Sequence, residues 1–149
     1  MRERAEEWLE FADVDHRAAG KLRDDEQLAR ATAFHAHQCA EKSIKAILEL
    51  RGERVPKIHN LRVLMGSIRA LGLNPQVDED VLDEMNQIYI EARYPSDIGL
   101  LPGGPPTEEV VERFITLATE LYRFAERTVA ETTEEGSDVS TTDEESGSS

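Results

Sequence analysis

The stretch Phe34-His35-Ala36-His37-Gln38-Cys39-Ala40-Glu41-Lys42-Ser43-Ile44-Lys45-Ala46 decides how this chain folds. Successive residues of an α-helix turn by about 100°, which places Ala33, Ala36, Ala40, Ile44 and Ile47 on one side. His35, Gln38, Lys42 and Lys45 fall nearer the other side. The pattern runs from about Glu26 to Leu50 and closes at Arg51-Gly52, where glycine suits a left-handed cap. A helix of that length spans a small domain and can bury its apolar side only against other helices.

Those other helices are legible on both sides of it. A first helix covers about Arg4 to Leu22, with Trp8, Phe11, Ala12, Asp15, Ala18, Ala19 and Leu22 recurring at three- and four-residue steps. Pro56 interrupts the connection after Leu50, and Asn60 caps a third helix through Leu61, Leu64, Met65, Ile68 and Leu71. A fourth starts after Asp78, carries Val81, Met85, Ile88, Tyr89 and Ala92 on one stripe, and stops at Pro95. After the turn-rich segment from Gly99 to Pro106, Thr107 caps a fifth helix with Val110, Phe114, Leu117, Ala118, Leu121 and Ala125, ending near Val129. The expectation is an all-α fold, a five-helix antiparallel up-and-down bundle with four long helices and one short.

Composition agrees. Apolar residues make up 39% of the 149 and aromatics only 5%, so the core is expected to be aliphatic and all-β folds are disfavoured. Residues 1–130 are expected to form one helical domain, and 131–149, acidic and nearly without aliphatic side chains, a disordered tail. No apolar run is long enough to span a membrane and the first residues are charged throughout, so the expected setting is cytoplasmic with no membrane partner. The net charge of −14, from 31 acidic and 17 basic residues, repels nucleic acid from the average surface and demands a local basic site for any such ligand.

Two groups of residues carry chemistry. On the second helix, His37 and Glu41 lie four apart, a spacing that allows a hydrogen bond or two metal ligands. No companion histidines or acids complete a metal set at helical spacing, so neither metal nor cofactor is expected. Cys39 reads as a small buried hydrophobe, and His59 as a loop residue hydrogen-bonded beside the Asn60 cap. The second group is Arg93, Tyr94, Ser96 and Asp97, where Pro95 stops the fourth helix. A planar cation, a phenol, a hydroxyl and a carboxylate within a few residues can hold a phosphate or order a subunit interface.

In order and spacing, Trp8 to Ala18, the row His35-x-x-Gln38-x-x-Glu41-Lys42-x-x-Lys45-Ala46, His59-Asn60-Leu61 and Ala92-Arg93-Tyr94-Pro95 resemble the HEPN family, named for higher eukaryotes and prokaryotes nucleotide-binding. The resemblance covers about residues 1–128 and implies a five-helix bundle, a homodimer, and a minimal nucleotidyltransferase as partner in a toxin–antitoxin-like pair. Many members are metal-independent endoribonucleases with an Arg followed a few residues later by a His. Arg93 matches the Arg, while Ile98, Gly99 and Leu100 stand where the His belongs. Catalysis of that kind therefore falls to Arg93 as phosphate clamp with Tyr94, Asp97 or His35 moving protons. Tyr94 also matches the tyrosine that some partner nucleotidyltransferases modify with adenylate. Two functions follow from the resemblance. One is a non-cleaving dimeric module that binds its partner, RNA or a nucleotide through Arg93, Gln38, Lys42 and Lys45; the other is a ribonuclease with a degenerate Arg/His pair.

Overall fold

The computed structural model describes the backbone of residues 2–91 and 104–148, with side chains described through 89 in the first span and 131 in the second. Five α-helices occupy these spans: α1 (Arg2–Leu22), α2 (Ala29–Leu50), α3 (Leu61–Ala70), α4 (Glu79–Glu91) and α5 (Glu108–Ser148). The described residues contain no strand, and the fold is an all-α bundle as the periodicity requires.

Each boundary has a local cause. Residues Glu26–Leu28 form a separate 3-10 turn whose cap, Asp25, accepts from the Gln27 amide, so α2 starts at Ala29 rather than Glu26. At the far end of α2, Gly52 takes φ 73°, the left-handed conformation expected there. The Asn60 side chain accepts from the amides of Arg62 and Val63 at the start of α3. Asp78 does the same for α4, accepting from the Asp80 and Val81 amides. The Thr107 hydroxyl accepts from the Val110 amide at the head of α5.

The backbone of α5 is helical to Ser148.

Cross-helix contacts fix the directions. Arg4 reaches Glu49 and Asp15 reaches Lys42, so α1 and α2 are antiparallel. His16 meets Thr119 and Arg23 meets Glu112, so α1 also runs against α5. Helix α2 packs against all four others and holds the centre. Its Ala36, Ala40, Ile44 and Ile47 join Leu61, Leu64, Met65, Ile68, Leu82, Met85, Phe114 and Leu121 in one buried aliphatic core. Ala5 near the start of α1, Leu50 at the end of α2 and Val129 in the middle of α5 close a smaller cluster. Cys39 is fully buried and its thiol donates to the Ala118 carbonyl at 3.8 Å; burial pushes the thiol up to about 12.

The α1 stripe departs from expectation at one place. Ala5, Ala12, Asp15 and Ala19 face inward, while Phe11 is 58% exposed. With α2 and α5 both packed on α1, the buried stripe is set by small residues that allow close approach, and the larger Phe11 ring is displaced to the rim.

Candidate functional site

The polar row of α2 does not face open solvent. Helix α1 covers it, and each polar group must find a partner in the seam between them. Asp15, only 6% exposed, supplies two of those partners. The His35 Nδ1–H donates to Asp15 Oδ1 at 2.9 Å, and Lys42 Nζ donates to Oδ2 at 2.6 Å. A carboxylate can only accept, so His35 carries its hydrogen on Nδ1 and keeps Nε2 for other use. The Lys42 ammonium also sits 5.9 Å from the centre of the Phe11 ring. Gln38 lies half-buried on the same helix face.

One turn further along, Glu41 organises a second cluster. It is buried, and it accepts from Lys45 Nζ at 3.0 Å and from His59 Nδ1–H at 2.8 Å. Lys45 is itself buried, with its ammonium 5.7 Å from the centre of the Trp8 ring. His59 sits in the residue before the Asn60 cap, so the capped start of α3 fixes the direction from which the imidazole reaches α2. Asn86 of α4 ties down that corner: its side-chain oxygen accepts from the Leu61 amide at 2.9 Å and its amide donates to Asn60 at 3.3 Å.

His37 is the unusual member. It is 1% exposed, and neither ring nitrogen has a hydrogen-bond partner among the described residues. The Glu41 carboxylate stands 3.9 Å from Nδ1, too far for a bond. The ring instead lies flat on Tyr89, with centroids 3.9 Å apart and planes 9° from parallel. Burial first, and then the nearby His59 and Lys45, lower the His37 pKa from 6.5 to about 3, so the ring is neutral at physiological pH. Phe34 stacks on the same tyrosine at 6.1 Å, and the His59 ring lies tilted 5.6 Å from it.

This placement redistributes the residues singled out from the sequence. His35 and Lys42 come together on Asp15, while Lys45 is buried and donates to Glu41. His37 and Glu41, read as an edge pair, are both buried and not bonded to each other. Arg93, Tyr94 and Asp97 lie outside the described residues. Asp15, His59 and Tyr89 were not read as parts of one site. Asp15 had a signal, an acid between Ala12 and Ala19 on a buried stripe, since such a group is rarely inside without a partner. Among the described residues, no group of three or more histidines, cysteines or acids is placed to hold a metal ion. Nor is any helix there long and apolar enough to cross a membrane.

A family model described as the HEPN domain matches residues 5–128. The chain belongs to the HEPN family. Two solved structures are similar to this HEPN domain. A crystal structure of an archaeal HEPN homologue is 22% identical, with a TM-score of 0.61 over 84% of this chain and 97% of its own. The crystal structure of TT1696 from Thermus thermophilus is 28% identical, with a TM-score of 0.63 over 84% of this chain and 98% of its own. No curated protein matches the chain.

Proposed function

We propose that this HEPN domain is a non-cleaving module that forms a homodimer and works beside a minimal nucleotidyltransferase in a toxin–antitoxin-like pair. One observation carries the choice. The groups of the α2 polar row are engaged within the domain: Asp15 takes His35 and Lys42, and Glu41 takes Lys45 and His59. A phosphodiester-cleaving site needs cations aimed at the developing negative charge and a proton carrier aimed at the reacting oxygen. Cations already neutralised by buried carboxylates supply little of the first. The sequence after Arg93 supplies no histidine for the second.

The partner is tested by co-expression with a minimal nucleotidyltransferase encoded in the same genome. A complex that survives size-exclusion chromatography, with two HEPN chains by light scattering, supports this reading. Separate elution with a monomeric HEPN chain removes it.

A metal-independent endoribonuclease is favoured by one specific feature. Asp15 holds His35 through Nδ1, and the ring stays 30% exposed, so an Nε2 that can accept a proton remains within reach of a ligand. In that reading Arg93 clamps the phosphate, and His35, Tyr94 or Asp97 moves the proton.

A further inference from the structure

The α2–α3 connection, residues 51–60, has a charge opposite to that of the rest of the chain. It carries Arg51, Arg54 and Lys57 against a single acid, Glu53, in a protein of net charge −14. All three cations are exposed, and none enters an ion pair or side-chain hydrogen bond among the described residues. Elsewhere many basic side chains are held in pairs, as Arg23 is by Glu112, Arg62 by Glu79 and Asp83, and Arg113 by Glu84. The connection is anchored from below, because Val55 and Ile58 pack against the core. Their neighbours Arg54, Lys57 and His59 are exposed.

His59 completes this surface in a particular way. Because Glu41 can only accept, the imidazole hydrogen facing it is on Nδ1 and the remaining nitrogen, Nε2, is the one available to a ligand. The ring is 44% exposed. Its charged and titratable surroundings are Glu41, Lys45 and His37 from α2 and Tyr89 from α4. Lys45 already neutralises Glu41, so a proton added to His59 gives the cluster an unbalanced positive charge. The local charge is balanced when an anion sits at Nε2.

We propose that Arg54, Lys57 and the Nε2 of His59 form a binding site for the phosphate group of a ligand, with Glu41 as the positioning residue that aims the imidazole. A phosphate is favoured over a carboxylate because its several oxygens can accept from a guanidinium, an ammonium and an imidazolium together. The proposal depends on neither reading of the overall function.

The test uses the full chain and NMR, with inorganic phosphate and pyrophosphate as probes at constant ionic strength. Expected are saturable shifts of the His59 ring and of the Arg54 and Lys57 amides, tighter for pyrophosphate. Exposed Arg54 and Lys57 can be removed without touching the core, and Arg54→Ala/Lys57→Ala is expected to weaken binding about tenfold. A short single-stranded RNA that saturates the same signals at lower concentration than a mononucleotide assigns the phosphate to a polynucleotide backbone. A mononucleotide or sugar phosphate that binds more tightly assigns it to a small molecule. Shifts that do not saturate, that chloride reproduces, or that persist unchanged in the double variant overturn the proposal.

Discussion

His37 lies flat on Tyr89 at 3.9 Å between ring centroids, and its two ring nitrogens have no hydrogen-bond partner among the described residues. A neutral imidazole tolerates such a place far better than a charged one. Its pKa of about 3 in the folded chain is below the ordinary 6.5, so between those values the unfolded chain binds the extra proton. Stability is therefore full above about pH 6.5 and falls as the pH drops toward 3, by at most about 1.4 kcal/mol per pH unit from this group. His37→Phe keeps a ring on Tyr89 and removes the titration. Urea unfolding at about pH 7 and about pH 5 is expected to show a smaller acid loss in the variant than in the wild type. Equal losses contradict the assignment.

Asp15 joins two helices through two cationic or hydrogen-donating partners in a partly dry seam. Removing one member of such a buried pair leaves the others without compensation and costs about 3 kcal/mol. Asp15→Ala is expected to lower the urea midpoint accordingly. Asp15→Asn, which keeps the volume and an acceptor oxygen, is expected to lose less. A variant Asp15→Ala as stable as wild type contradicts the role given to this seam.

The Asn60 cap supports both α3 and the loop that delivers His59. Replacement by Ala removes an acceptor for two helix-start amides and is expected to cost about 1–2 kcal/mol, while Ser or Asp restores most of it. The His59 ring signals are expected to shift in Asn60→Ala and to return toward wild type in Asn60→Asp. Unchanged stability and ring signals in Asn60→Ala contradict the coupling.

Cys39 is sealed between α2 and α5, and its thiol is held protonated. Ellman's reagent is expected to leave it unmodified in the folded protein and to react fully in denaturant. Stoichiometric reaction in native buffer contradicts the packing.

The helices were legible because their apolar residues repeat with a strong period and their ends carry explicit signals. Asn60, Asp78 and Thr107 cap where the sequence says they should, and Ala36, Ala40, Ile44 and Ile47 are buried together. The site was legible only in part. Sequence spacing places residues around one helix axis, and it correctly groups His35 with Lys42. It does not say which helix packs on which face, and so it could not pair either residue with Asp15 twenty or more positions away. The burial of Lys45 is not legible for the same reason: a basic residue on a polar face reveals nothing of the second helix that brings Trp8 over it. The His59 bond to Glu41 depends on the path of an irregular connection, which periodicity does not describe.

The central claim is that this HEPN domain binds without cleaving, its α2 polar row being spent on internal pairs. Labelled RNA incubated with the purified wild-type chain in EDTA tests it most directly. Intact RNA over hours at micromolar protein is the predicted result. Cleavage that Arg93→Ala abolishes, in a variant of unchanged stability, contradicts it.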